Sequence, residues 1–231
     1  MPEITADTLV FGFIWYVAFL FSTTCHEASH ALAAKLGGDD TAARQVTLNP
    51  VPHIQREPWG MVVIPIISFL FAGAMVGWAS APFNPEWERR YPRRAAWMAL
   101  AGPAANFTLM LIASILILVG REQGWFVLVG GANGWVVRGL DGQPIIFGTV
   151  LSVFFVLNLL LGVFNLLPVP PLDGSAGIMV LMGNDTAHRY LDWLRTTPYR
   201  SLGLLVAIFG FRYVYGPIET FATNLLIFTK F

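Results

Sequence analysis

The sequence has little charge and almost no cysteine, and each shortage excludes a class of protein. Only 12% of its 231 residues are charged, whereas a soluble domain carries roughly 25%. Because so few charges cannot cover a water-facing surface of this size, the sequence predicts a polytopic membrane protein. The formal net charge of zero gives no indication of a nucleic-acid partner. The single cysteine excludes an internal disulfide.

Long apolar stretches stand where the charges are missing. Roughly 20 apolar residues suffice to cross a bilayer as a helix, and residues 8–36, 95–120 and 144–167 each provide them. These stretches predict an all-α membrane protein with a three-span core. We expect a single membrane-embedded domain that occupies the whole chain, residues 1–231.

The charged loops predict how these spans are arranged. Arginine-rich loops favour the cytoplasm, which places residues 37–60, 80–94 and 183–200 on one side. The apolar stretch 61–79 between the first two loops then cannot cross. It is broken by proline and glycine, so we expect a re-entrant hairpin shielded by protein. Residues 201–231 predict one or two further membrane helices.

The first residues that could carry chemistry are His26-Glu-Ala-Ser-His30, in the cytoplasmic half of the first span. Two histidines four apart on a helix share a face and can hold one zinc ion. Glu27 can act as the general base toward a water activated by that ion. Polar groups at membrane depth are costly and mark a functional site by default. The duller alternative is a pair of histidines hydrogen-bonded inside a bundle, with Glu27 paired to an arginine.

A catalytic zinc site needs a third protein ligand and an open position for water. The candidates are Asp173, His53 and Glu27, of which Asp173 is preferred. It follows a proline-rich bend at the end of the third span, and the predicted topology puts it at the depth of both histidines. The alternative is an ordinary turn, since Asp-Gly is a common turn pair.

Two asparagines and one loop complete the candidate set. The amide of Asn165, eight residues before Asp173, could donate to a developing oxyanion or form an interhelical hydrogen bond. Asn158 is expected to form such an interhelical bond. In the Asn49-Pro-Val-Pro-His53 loop, Asn49 and His53 are candidate substrate-binding residues. His53 could cover the metal, polarise a substrate carbonyl or cap the loop.

The loop around His53 also carries a structural expectation. Residues 37–58 contain three prolines, which predict an extended or hairpin segment rather than a helix. A substrate helix must unwind before it is cut, so we expect its strand to pair with an exposed edge. Either residues 45–54 or the 61–79 hairpin would provide that edge.

Taken together, the motifs resemble the site-2 protease family of intramembrane zinc metalloproteases, peptidase family M50, in its small form without a PDZ domain. The resemblance covers roughly residues 8–182. It rests on these motifs: His26-Glu-Ala-Ser-His30, Asn49-Pro-Val-Pro-His53, Phe83-Asn-Pro85, Ala101-Gly-Pro-Ala-Ala-Asn106 and Asn165-Leu-Leu-Pro-Val-Pro-Pro-Leu-Asp173-Gly174. It implies that His26, His30 and Asp173 bind Zn²⁺, that Glu27 is the base and that Asn165 stabilises the tetrahedral intermediate.

The resemblance further implies partners and a location. The expected substrates are transmembrane proteins, chiefly single-span ones, cut within or near their membrane segments. The expected location is a prokaryotic plasma membrane, with the active site toward the cytoplasm. Two other functions remain open from the residues alone, a membrane metal-ion transporter and a catalytically silent helix-binding scaffold. A transporter should show several sites along a path and two related halves, and neither is evident.

Overall fold

Four long apolar helices form about half of the computed structural model, which describes residues 5–72, 75–129, 136–198 and 200–229. In chain order the helices are α1 (Ala6–Leu36), α2 (Val51–Arg56), α3 (Ile64–Ala72), α4 (Pro85–Arg90), α5 (Pro92–Glu122), α6 (Ile146–Asn165), α7 (Asp173–Gly177), α8 (Asn184–Thr196) and α9 (Arg200–Phe228). Within the described residues, α1, α5, α6 and most of α9 are long and apolar enough to cross a membrane. The predicted all-α polytopic membrane protein is therefore confirmed.

Helices α1, α5 and α6 pack together as the core, and they correspond to the three predicted spans. The buried apolar side chains of α5 and α6 interlock near one end, where Ile117 and Phe155 are almost fully buried. Toward the other end α5 presents small residues, and Gly102 brings its backbone against the side chains of α1. Small residues at a helix interface allow this close approach.

The segment after residue 58 forms the predicted hairpin. A π-helical turn, Trp59–Val63, leads into α3, and residues 75–84 beyond it have no regular secondary structure. The amide of Trp78 donates to the carbonyl of Gly60 at 3.1 Å, and the amide of Val76 donates to Ser68 Oγ at 2.9 Å. The apolar helical part is too short to be counted as a span. The first and last residues of the segment thus lie side by side.

The prediction that residues 37–58 contain no helix was wrong. A short 3-10 turn, Ala43–Gln45, precedes α2, whose N-cap is Pro50 and whose first turn contains Pro52. Proline is tolerated in a first turn because the amides there have no intrahelical acceptor. The expected strand edge at residues 45–54 is therefore replaced by a turn and a helix.

Two further segments complete the fold. Between α5 and α6, strands β1 (Val127–Leu128) and β2 (Val137–Arg138) pair antiparallel, with Val127 opposite Arg138. The C-terminal segment is a single helix, α9, which continues through Pro217. The choice between one and two C-terminal helices is thereby settled in favour of one.

Candidate metal centre

The two histidines of α1 face each other across one helical turn. His26 and His30 are both buried, and their Nε2 atoms lie 3.0 Å apart. The four-residue spacing places both rings on the same face of the helix. The rings meet nearly edge to face, at an interplanar angle of 82°, so that both Nε2 atoms point to one spot.

Helix α5 fixes the orientation of both rings through their other nitrogens. His30 Nδ1 lies 2.7 Å from the carbonyl oxygen of Met98, and His26 Nδ1 lies 2.6 Å from Oδ1 of Asn106. A carbonyl oxygen can only accept, so Nδ1 of His30 must be the donor. A neutral imidazole that is protonated at Nδ1 keeps a free lone pair at Nε2, which is the atom that faces the shared spot.

Asp173 reaches the same spot from far along the chain. It is the first residue of α7, and its Oδ2 lies 3.1 Å from Nε2 of His26 and 3.3 Å from Nε2 of His30. The glycine after it is needed because a Cβ at Gly174 would lie 2.2 Å from the carbonyl oxygen of Leu166. The Asp-Gly pair therefore lies in a tight turn that packs the chain against the end of α6.

These three groups fit a zinc ion. Two imidazoles and a carboxylate are common zinc ligands, and a tetrahedral ion with bonds of about 2.0–2.1 Å separates its ligand atoms by roughly 3.3 Å. The separations observed here are 3.0, 3.1 and 3.3 Å. Oδ2 of Asp173 is buried without a hydrogen-bond donor. A shared cation would satisfy three acceptor atoms that otherwise face one another.

Gly102 leaves open space beside this cluster. A Cβ built at Gly102 would lie 2.4 Å from Nε2 of His30 and 2.5 Å from Nε2 of His26. These distances are only slightly longer than a zinc–nitrogen bond. Any larger residue at position 102 would therefore place a carbon atom where both nitrogens converge.

Glu27 lies next to the cluster with a free acceptor. Its carboxylate and the ligand nitrogens of His26 and His30 all lie within 4.8 Å of one another. The side chain is 4% exposed, and Oε2 has no hydrogen-bond partner. An unpaired buried carboxylate is costly, which is typical of a group held ready for proton transfer rather than for packing. Among the described residues no arginine pairs with it.

Three further predicted site residues, Asn165, His53 and Asn49, make no hydrogen bond to the two histidines, Glu27 or Asp173 within the described part of the chain. Asn165 ends α6 and is half-buried, and its side chain makes no hydrogen bond within the described part of the chain. Nε2 of His53 lies 3.3 Å from the carbonyl oxygen of Thr47, and Oδ1 of Asn49 accepts from the amide of Val51. Both loop residues thus have contacts inside the loop. Catalytic or substrate-binding roles for these three residues stay predictions.

Sequence reasoning missed the role of Asn106. Its side chain is fully buried and bridges His26 and Asn158. The bond expected for Asn158 is confirmed, because its Nδ2 donates to Ser22 Oγ on α1 and its Oδ1 accepts from Asn106 on α5. The available signal was an asparagine inside an apolar span, where an amide needs a partner.

An apolar groove opens beside the same stretch of α1. It has a volume of about 540 Å³ and lies between α1, α5 and the loop after the first 3-10 turn. The α1 side of the groove is formed by residues next to the histidines, among them Cys25, Ala28 and Ser29. The groove is therefore formed by the same stretch of α1 that carries the histidines, although none of the four site residues lines it.

Comparisons with known proteins agree with this arrangement. The model for "Peptidase family M50" matches residues 14–192. The chain is 34% identical over 161 residues to "Putative zinc metalloprotease YwhC" of Bacillus subtilis (strain 168), a match that covers 68% of this chain and 64% of that protein. It is 25% identical over 213 residues to "Putative zinc metalloprotease Rip2" of Mycolicibacterium smegmatis (strain ATCC 700084 / mc(2)155), covering 89% and 71%.

The matched region thus spans slightly less than two thirds of the Bacillus protein. No solved structure matches the chain significantly. The family model extends from the third turn of α1 into α8, and so it contains both histidines, Glu27, Asn106 and Asp173. The chain therefore belongs to peptidase family M50.

Proposed function

We propose that this protein is a zinc metalloprotease that hydrolyses peptide bonds within or near the transmembrane segments of other proteins. The observation that carries the proposal is the convergence of the buried His26 and His30 on Oδ2 of Asp173, with the carboxylate of Glu27 beside it. The convergence lies among helices of membrane-spanning length. The names of the two relatives and the family match support the same chemistry.

Each residue of the cluster has a role in this proposal. His26, His30 and Asp173 would hold the zinc ion, which supplies Lewis acidity and lowers the pKa of a water toward roughly 7. Glu27 accepts the proton of the attacking water and delivers it to the leaving nitrogen. Asn165 would stabilise the oxyanion through its amide N–H. A contribution of the loop residues His53 and Asn49 would be limited to holding the substrate.

The apolar groove supports a membrane-segment substrate. A transmembrane helix hides its carbonyls in internal hydrogen bonds, so it must unwind before hydrolysis. A groove of about 540 Å³ between α1 and α5 offers apolar walls to an unwound stretch. Single-span proteins are the simplest substrates for such a site, since their helices enter from the bilayer without detaching from a bundle.

The proposal includes a location. The four membrane-length helices make a multi-pass membrane protein. The arginines at positions 89, 90, 93 and 94, just before the buried part of α5, favour the cytoplasmic side by the charge rule. The metal cluster lies in the half of the core that adjoins this basic region, so cleavage would occur toward the cytoplasm of a prokaryotic cell membrane.

The alternative functions have less support in the structure. The described residues contain one cluster of potential metal ligands built from histidine and acidic groups, whereas an ion pathway needs a series of sites. A silent scaffold would not need an unpaired buried carboxylate at Glu27. Both observations favour hydrolysis.

The experiment compares two Glu→Gln variants in purified, reconstituted protein, Glu27→Gln and, as a matched control on α9, Glu219→Gln. We expect Glu27→Gln to keep its zinc and to lower cleavage of a model transmembrane peptide by about 10²–10⁴-fold, the usual contribution of a general base. Glu219→Gln should cleave as the unmodified protein does. Cleavage by Glu27→Gln at the unmodified rate would refute the assigned base.

A further inference from the structure

A chain of buried hydrogen bonds crosses all three core helices and ends on His26. Nδ2 of Asn158 on α6 donates to the carbonyl oxygen of Phe154 and to Ser22 Oγ, both at 2.9 Å. Oδ1 of Asn158 accepts from Nδ2 of Asn106 on α5, also at 2.9 Å. Oδ1 of Asn106 then lies 2.6 Å from Nδ1 of His26. The asparagine and serine side chains in this chain are fully buried.

The direction of every bond in this chain is fixed by one backbone carbonyl. The carbonyl of Phe154 can only accept, so the amide nitrogen of Asn158 must face it, and its oxygen must face Asn106. Asn106 then has to present its nitrogen to Asn158, which leaves its oxygen toward the histidine. An oxygen can only accept there, so Nδ1 of His26 carries the hydrogen.

We infer that Asn106 is a positioning residue for the metal centre and that Asn158 sets its direction. Together they hold His26 in the tautomer whose Nε2 lone pair points at Nε2 of His30 and at Asp173. This inference rests on the proposed metal site. It goes beyond the three metal ligands, because it assigns the orientation of His26 to residues of another helix, α6. The two participating residues of α6, Phe154 and Asn158, act on His26 only through Asn106.

A purely structural role makes a different prediction. If the chain only held the helices together, each bond in it would matter to stability, and none would matter specifically to the metal. In the positioning role, the bond that His26 donates to Asn106 is essential, whereas the bond that Asn158 donates to Ser22 is dispensable. The Phe154 carbonyl sets the direction of the Asn158 amide even without the serine. Removal of the outer hydrogen-bond partner of a metal-binding histidine commonly lowers metal affinity about 10–100-fold.

The test measures the zinc dissociation constant by chelator competition in full-length protein, together with the thermal unfolding of the metal-free form. Asn106→Leu removes the acceptor for Nδ1 of His26. Ser22→Ala is the matched control at the far end of the chain.

We expect Asn106→Leu to weaken zinc binding at least 10-fold and Ser22→Ala to stay within a few-fold of the unmodified protein. Zinc binding by Asn106→Leu at the unmodified affinity would overturn the positioning role, as would equal losses in Asn106→Leu and Ser22→Ala. An unmodified protein that binds no zinc would instead overturn the proposed function itself.

A second measurement does not depend on the folding of any variant. Ring ¹⁵N chemical shifts of the zinc-bound unmodified protein distinguish the two nitrogens of each histidine. We expect His26 to be protonated at Nδ1 and metal-bound at Nε2. Binding of zinc through Nδ1 of His26 would overturn the inference.

Discussion

Helices α6 and α9 are both apolar and long enough to cross a membrane, yet the protein uses them differently. In the most apolar part of α6, 61% of the residues are buried inside the protein, against 11% in α9. Helix α6 carries the fully buried Asn158 and leads directly into the loop that ends at Asp173. Helix α9 presents a row of large apolar side chains outward, including Phe209 and Phe221.

The comparison shows that apolar composition predicts spanning but not involvement in the site. Both helices satisfy the same length requirement. What distinguishes α6 is a fully buried side-chain amide, that of Asn158, since such an amide must find partners on neighbouring helices. Helix α9 touches the core through fewer contacts, such as the Phe164–Phe211 ring pair and the bond from the Tyr215 hydroxyl to the Val156 carbonyl.

Two Gly→Ala substitutions test the difference between the core and α9 at the metal centre. Gly102→Ala places a Cβ 2.4 Å from Nε2 of His30, and overpacking of this kind costs about 1–3 kcal/mol. Zinc affinity should fall about 10–100-fold. At Gly210 of α9 a Cβ meets nothing within 4 Å, so Gly210→Ala should leave zinc affinity unchanged and gain helix propensity.

Isothermal titration calorimetry or chelator competition measures the zinc affinity of Gly102→Ala and of Gly210→Ala. Equal zinc affinities in Gly102→Ala and Gly210→Ala would contradict the geometry of the open space beside the histidines.

A second pair of substitutions compares packing in the two helices. Phe155 on α6 is 1% exposed, and Phe209 on α9 is 74% exposed. Phe155→Ala should lower the free energy of unfolding by about 3–5 kcal/mol, whereas Phe209→Ala should change it by about 0.5 kcal/mol or less. Denaturant titration in detergent micelles measures both. A loss of similar size at the two positions would show that α9 is packed in the membrane as tightly as α6.

The smallest effect is expected where α9 is tied to the core at its end. The Arg121 guanidinium donates to the carbonyl oxygens of Leu226 and Thr229. Hydrogen bonds from a charged group contribute about 1.5–3 kcal/mol, and much less where water competes. Arg121→Ala should therefore raise hydrogen exchange in residues 225–229 and leave α6 protected. Unchanged exchange at the end of α9 would mean that these bonds do not hold it.

The sequence predicted the parts of the fold that depend on periodicity and length. Three core spans, the returning 61–79 hairpin and the bond of Asn158 follow from apolar length, proline position and the cost of a buried amide. Helix α2 was missed because a proline in a first turn resembles a helix breaker when only composition is considered. The prediction of a strand edge at residues 45–54 was wrong for the same reason.

The part of the candidate site that consists of characteristic side chains could be predicted from the sequence. The spacing of His26 and His30 predicted a shared face, and topology predicted that Asp173 would lie at their depth. The Met98 carbonyl could not be predicted, because backbone groups carry no residue-specific signal. Asn106 could be noticed as a polar residue in an apolar span, but its partner depends on how α5 rotates against α1.

Metal analysis of purified protein tests the central claim most directly. The unmodified protein should carry about one zinc ion per chain, as a site with two histidines and one carboxylate requires, and Asp173→Ala should lose that ion while retaining its helical circular dichroism. Asp185→Ala, in the exposed first turn of α8, should keep it. Full zinc content in folded Asp173→Ala would contradict the account.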